Sequence, residues 1–441
     1  MKPSDEKQTI GIWLTSSIVV GTMIGAGIFL LPTSLAPLGI NAVIGWLLSA
    51  LGAMCIAFAL SRLVRAEGGG IQSYIETVFG PTAAFVATWE FWVSCWTAIA
   101  ATAIATAAAL ARAFPALGDP WTIAMVAILT TAIIQIVNAR GVRAAGGLAL
   151  VTVLIKILPL LAVIVVVLMR KGTGQPLSPL AAVPVTLDNI ATAVTLTLFA
   201  MLGFECATAP VGKVRNPTRT IPLALIAGTA FVALLYLLAS TSVSLILSPA
   251  ATVTSTSPFA DALVANFGEA AAVFAALTIA VAAFGAANSS LLTAGELGYS
   301  MALRGDMPRR LTRTDAANAP IASQLLASAL TVGLILLNSS KSTAELFNFV
   351  ILLSTNSTLV LYMIGALAAL RVDTSIAARL IIALSIPFSL FAFYGAGAKA
   401  NLWGLVLLAI GFAVRWLCRR LNSSAATPLG AAQAAPPGSS A

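Results

Sequence analysis

The sequence predicts an all-α polytopic membrane protein with twelve transmembrane helices. Three observations predict it. Hydrophobic residues make up 59% of the 441-residue chain and charged residues only 9%, against about 25% charged in a soluble domain. Apolar runs near the ~20 residues that a spanning helix needs recur at 11–36, 40–61, 83–111, 121–138, 146–169, 188–209, 221–247, 270–302, 320–338, 346–370, 376–394 and 400–417. The basic residues between them are distributed asymmetrically. Composition excludes a soluble enzyme, and also a disordered chain, which needs low hydrophobicity and high charge.

The connectors set the orientation. With both termini cytoplasmic, eighteen of the 24 Lys and Arg lie on the cytoplasmic side and five on the other, with Lys156 left inside a span. That bias obeys the positive-inside rule and fits an even number of spans. The net charge of +9 is thus a topology signal spread over several loops, not a nucleic-acid patch. The expected organisation is a cytoplasmic N-terminus at 1–10, a twelve-helix domain at 11–418 and a disordered, uncharged cytoplasmic tail at 421–441. Cys55, Cys95, Cys206 and Cys418 lie in or beside apolar runs without metal-ligand spacing and read as small packing residues. With no His in the chain, proton chemistry falls to carboxylates, Lys or Tyr. No cofactor, metal or enzymatic site is expected: there are no clustered ligands and no paired carboxylates on one helix face.

The first run follows Lys2 and Lys7 but is too long for a signal peptide and ends in Leu31-Pro-Thr-Ser34, so it reads as retained. It holds Gly21, Gly25 and Gly27, and glycine lowers helix stability by about 1 kcal/mol relative to Ala. Two readings stand. One is an unwound segment whose freed N–H groups and half-helix dipole meet a carboxylate. The other is a small-residue helix contact. The sixth run repeats the pattern, with Gly203 mid-span beside Glu205. Breaks at matching positions in two halves point to a binding site at the repeat interface. Spans 1–5 and 6–10 would then form a five-plus-five inverted repeat with broken helices 1 and 6.

Four ionisable residues lie in the apolar runs: Glu90, Lys156, Glu205 and Glu296. A charge at a helix centre costs about 2.5–3.5 kcal/mol on insertion scales, so such groups are functional by default. Lys156 reads as a proton-linked amine, with a static cation tying unwound carbonyls as the alternative. Glu205 links protonation to helix movement or bonds to local backbone. Glu90, in Thr88-Trp-Glu-Phe-Trp92, is open between packing and function. Glu296 reads as a partner of loop arginines.

Taken together, these segments resemble the amino acid–polyamine–organocation (APC) superfamily of transporters, and within it the basic amino acid/polyamine antiporter branch. The likeness runs from about residue 10 to about residue 420. It rests on Gly25-Ala-Gly27-Ile-Phe-Leu-Leu-Pro32, Gly68-Gly-Gly-Ile-Gln-Ser-Tyr74, Gly203-Phe-Glu205 and Val214-Arg-Asn-Pro217-Thr-Arg219-Thr-Ile-Pro222. The last of these is the most distinctive.

The resemblance implies a midplane site. Backbone around Gly25, Ala26 and Gly27 would hold a substrate carboxylate. Carbonyls near Met23, Phe199 and Leu202 would hold its α-ammonium, and Glu205 would sense protons. Arginine-exchanging members stack tryptophans of helices 6 and 8 on the substrate and use a helix-3 asparagine. Phe199, Ser290 and Ile99 fall at those places here. Ser354 and Thr358 would add hydroxyls. Lys156 resembles the helix-5 lysine that replaces a sodium ion in proton-coupled members.

These readings predict a secondary amino-acid carrier of the bacterial inner membrane, multi-pass, working by alternating access. It would be proton-linked and, with one indole lost from the pocket, take neutral amino acids. Arginine/agmatine or polyamine antiport is the alternative on the same site, and a non-transporting membrane sensor is the alternative of another class. Its partners would be the small-molecule substrate, protons and the lipid bilayer, with no nucleic acid. Homodimerisation, symport against exchange and the direction of transport stay open.

Overall fold

The computed structural model describes residues 11–25, 27–63, 71–139, 142–205, 214, 216–314, 319–339 and 341–425. The expected features at 1–10, Ala26, Gly68–Gly70, Cys206, Arg215 and 426–441 lie outside the described residues. What is described is all-α. In chain order the helices are α1 (Ile12–Met23), α2 (Gly27–Leu35), α3 (Ile40–Leu63), α4 (Ile71–Phe79), α5 (Pro81–Ala113), α6 (Pro120–Asn138), α7 (Val142–Gly172), α8 (Leu187–Met201), α9 (Pro217–Ile246), α10 (Pro249–Thr254), α11 (Pro258–Leu303), α12 (Ile321–Leu337), α13 (Thr343–Val372) and α14 (Ile376–Ala425).

Among the described residues, each expected apolar run falls largely on helix. Seven described helices (α3, α5, α6, α9, α11, α13 and α14) are long and apolar enough to cross a membrane unaided. The last two runs share α14, which is interrupted at Gly397 (φ +77°). At 1.5 Å per residue its 50 residues would otherwise reach ~75 Å, more than twice a ~30 Å hydrocarbon core.

Local chemistry starts the helices where they start. Asp119 accepts from the amides of Trp121 and Thr122 ahead of α6, with Pro120 in the first turn. Ser342 and Glu345 form a reciprocal capping box on α13, which satisfies otherwise orphaned amides.

The polarity is that of a body solvated by lipid. Leu168, Leu234, Phe274 and Leu402 are exposed, while Thr197, Asn288, Ser354 and Thr355 are buried. Helix α5 is buried along nearly its whole length and packs on α11 and α13, while α1 packs on α9 and α7. At one end of the bundle Arg415 and Asp306, both buried, pair at 2.8 Å. One expectation is corrected: Glu296 is exposed on α11 and forms no salt bridge among the described residues, and Arg304 of the following turn pairs with Glu76 instead.

Candidate substrate site

The first rod breaks where its glycines allow. Helix α1 stops at Met23, and Ile24 leaves the helical region (ψ +79°). The amide of Gly25 turns back to Met23 O at 2.7 Å instead of continuing the ladder to Gly21 O. Two buried side chains take up the carbonyls this end exposes. Tyr236 donates its hydroxyl to Met23 O at 2.8 Å, and Lys156 donates its ammonium to Gly21 O at 3.2 Å. A cation at a helix C-terminus also meets the favourable end of the dipole.

The second rod breaks after Met201. Leu202 is extended, and Gly203 takes φ +113°, a region that L side chains avoid. A Cβ at Gly203 would stand 2.7 Å from Thr22 O, so glycine is needed twice over, for its angle and for contact with the end of α1. The Gly203 amide then donates to both carboxylate oxygens of Glu205 at 3.2 and 3.1 Å, and Tyr362 donates to Oε2 at 2.7 Å. Glu205 is buried.

Between the two breaks lies a cavity of about 120 Å³. Met23, Gly25, Gly27, Phe199, Leu202, Glu205, Ser290, Ser354 and Thr358 all line it. A Cβ at Gly27 would come within 2.8 Å of the Phe199 ring, so the ring lies directly on the start of α2, and it meets Phe347 edge-on.

One expected lining residue stands elsewhere, and other groups of the site are already engaged. Ile99 is fully buried but does not line the cavity; Ser94, Cys95, Ala98 and Thr102 present the lining face of α5 instead. Lys156 lies behind α1, outside the lining. The carbonyls of Met23 and Phe199 already accept hydrogen bonds from the protein, so any substrate ammonium shares them.

Sequence reading missed Thr22, Phe91, Ser289 and Thr293 as lining residues. Their spacing carries a signal, since Ser289 and Thr293 stand four apart on α11, as Ser94, Ala98 and Thr102 do on α5. Seven of the eight lining hydroxyls share one arrangement. Thr22, Ser94, Thr102, Ser289, Thr293, Ser354 and Thr358 each donate to a backbone carbonyl. With the proton committed, each offers the cavity its lone pairs. The lining is therefore rich in acceptors, with one carboxylate and no cationic side chain, which suits a hydrogen-bond donor of positive charge.

Comparison with known proteins finds relatives along most of the chain. Residues 10–414 match the family described as amino acid permease. The putrescine transporter PotE of Haemophilus influenzae is 26% identical over 425 residues, covering 93% of this chain and 97% of that one. PotE of Escherichia coli (strain K12) is 26% identical over 422 residues, covering 91% and 94%. The cadaverine/lysine antiporter of the same strain is 28% identical over 350 residues, covering 76% and 77%.

Proposed function

This chain belongs to the amino acid permease family, a multi-pass membrane transporter and not an enzyme, and from that premise we propose that it exchanges cationic amines. The substrates would be short diamines or basic amino acids, carried by alternating access across the inner membrane of a bacterium, with both termini cytoplasmic. The observation that carries this is the acceptor-lined cavity with Glu205 as its carboxylate. Its 120 Å³ is the room of roughly four liquid waters at ≈ 30 Å³ each, which suits an aliphatic chain better than a large ring. The putrescine and cadaverine/lysine relatives support the same class.

Neutral amino acids are the second reading. The apolar share of the lining and the Phe199 and Ser290 positions favour it. Here Glu205 would stay with Tyr362 and Gly203, and the freed backbone of α2 would hold the substrate carboxylate. In both readings Lys156 and Glu205 are the proton-linked groups.

Exchange in proteoliposomes separates the two. Vesicles loaded with unlabelled putrescine or lysine should take up labelled putrescine, cadaverine and lysine, and Glu205→Gln should weaken diamine binding by about ten- to hundredfold, the value of one charge-assisted hydrogen bond. Exchange of neutral amino acids without exchange of diamines would overturn the amine reading.

A further inference from the structure

A second cavity, of about 330 Å³, shares no lining residue with the substrate site. Val360 of α13 and Phe393, Leu405 and Leu408 of α14 form its apolar walls. Glu90 reaches it from α5, with Asn356 and Asn401 beside it. Glu90 is 1% exposed, and neither carboxylate oxygen has a hydrogen-bond partner. The Ser357 hydroxyl is the one side-chain donor within reach of that carboxylate, and among the described residues it makes no closer bond elsewhere.

The amides do not supply the missing donors. Asn401 Nδ2 donates to Phe393 O at 2.8 Å, and Asn356 Nδ2 donates to Asn401 Oδ1. No Lys or Arg lines the cavity. The other buried carboxylates have donors: Tyr362 for Glu205, Arg415 for Asp306 and Arg62 for Asp373. A buried carboxylate with a single hydroxyl in reach and no cation beside it is costly, and its position in a mostly apolar chamber defines what would relieve it. The ligand must carry one cationic head able to donate hydrogen bonds, and an apolar body. A bare or hydrated metal ion would leave the leucine, valine and phenylalanine walls unmatched. Leu405 is 65% exposed, so one wall faces the lipid, where an amphiphile concentrates.

We propose that this chamber is a second binding site, which takes an amphiphilic primary amine from the bilayer. Its ammonium donates to Glu90, and its chain packs against Val360, Phe393, Leu405 and Leu408. Phe393 adds a ring face to the cationic end. The site is independent of which substrate the main cavity carries.

The test uses the full-length protein in nanodiscs with n-octylammonium chloride as the probe and n-octanol as its uncharged counterpart. Thermal stabilisation measures binding, since a ligand held only by the folded state raises stability by mass action. The fluorescence of Trp89 and Trp92, which flank Glu90 in sequence, gives a second reading. Octylammonium should stabilise saturably and octanol should not. Glu90→Gln should weaken octylammonium binding by about ten- to hundredfold. Leu408→Trp, which fills the chamber and leaves the acid intact, should abolish it and serves where the Glu90 variant does not fold. Equal stabilisation by octanol, or unchanged affinity in either variant, overturns the proposal. Loss of probe binding in Glu205→Gln would also overturn it, by placing the probe in the main cavity.

Discussion

Replacing Lys156 separates the two jobs that its position combines. The ammonium is 2% exposed and bonds Gly21 O at 3.2 Å, a carbonyl whose ordinary partner, the Gly25 amide, has turned to Met23. A hydrogen bond to a charged group contributes about 1.5–3 kcal/mol net, and a cation at a partly buried helix C-terminus up to ~2 kcal/mol. The two overlap in one contact, so the larger of them bounds the effect. Lys156→Met keeps the apolar stem and removes the ammonium. It should destabilise the docked arrangement of α1 on α7 by about 1.5–3 kcal/mol, a ten- to hundredfold shift in its population.

Lys156→Arg retains a cation and its donors, but arginine does not release its proton in proteins. If Lys156 exchanges a proton during the cycle, Met and Arg should both lose uptake driven by a pH gradient, while Arg keeps the thermal stability that Met loses. Counterflow, which needs no net proton movement, should survive in Arg. The assay is labelled-substrate uptake into proteoliposomes with and without an imposed pH gradient, beside thermal unfolding of the same preparations. Gradient-driven uptake in Lys156→Arg equal to that of the parent protein would refute the proton role and leave a static cation.

Three further substitutions test other parts of the site and its frame. Gly27→Ala drives a methyl to within 2.8 Å of Phe199; substrate affinity should fall about tenfold or more, at the 1–3 kcal/mol scale of overpacking, and Phe199→Leu in the same chain should restore part of it in equilibrium binding. Ser290→Trp should change side-chain selectivity in a competition panel because Ser290 lines the cavity, whereas Ile99→Asn should leave selectivity alone and lower stability by about 1–3 kcal/mol, the cost of an unsatisfied buried amide. Asp306→Ala strands the buried Arg415 guanidinium and should cost about 3–5 kcal/mol in denaturant unfolding, with transport per folded molecule unchanged.

The apolar runs were legible because lipid leaves the backbone no alternative to helix, and the glycines around Met23 and at Gly203 marked both breaks. Register across α5 was not legible. That helix is buried almost throughout, so apolar periodicity does not separate the face toward the cavity from the next one; the Ser94 and Thr102 hydroxyls alone mark it, and Ile99 stands one residue away from Ala98. The two substrate readings weigh different residues of the lining. Counting rings at Phe199 and Ser290 measures how a guanidinium is stacked, yet the lining hydroxyls decide more. Ser and Thr in helices habitually bond to the carbonyl one turn back, so an acceptor-rich lining could have been inferred from Ser354 and Thr358 or from Ser289 and Thr293. The isolation of Glu90 had no sequence signal, since it depends on which donors α13 and α14 fail to bring.

The contact between the two breaks bears on how the site can move. Gly203 lies against Thr22 O so closely that a single methyl would overlap it, and the Gly203 amide is held by Glu205, which is held in turn by Tyr362 of α13. On the other side, the end of α1 is held by Lys156 of α7 and Tyr236 of α9. Each break is therefore tied to a different set of helices, and the two meet at one close contact beside the cavity. A substrate ammonium that draws Glu205 from the Gly203 amide loosens the α8 break exactly where it presses on α1. Protonation of either ionisable group acts on the same contact from its own side. Because coupling between binding events is reciprocal, a proton on Glu205 that weakens its hold on an amine must itself be bound less tightly once the amine is in place, and that is the relation an exchanger of protons against amines requires.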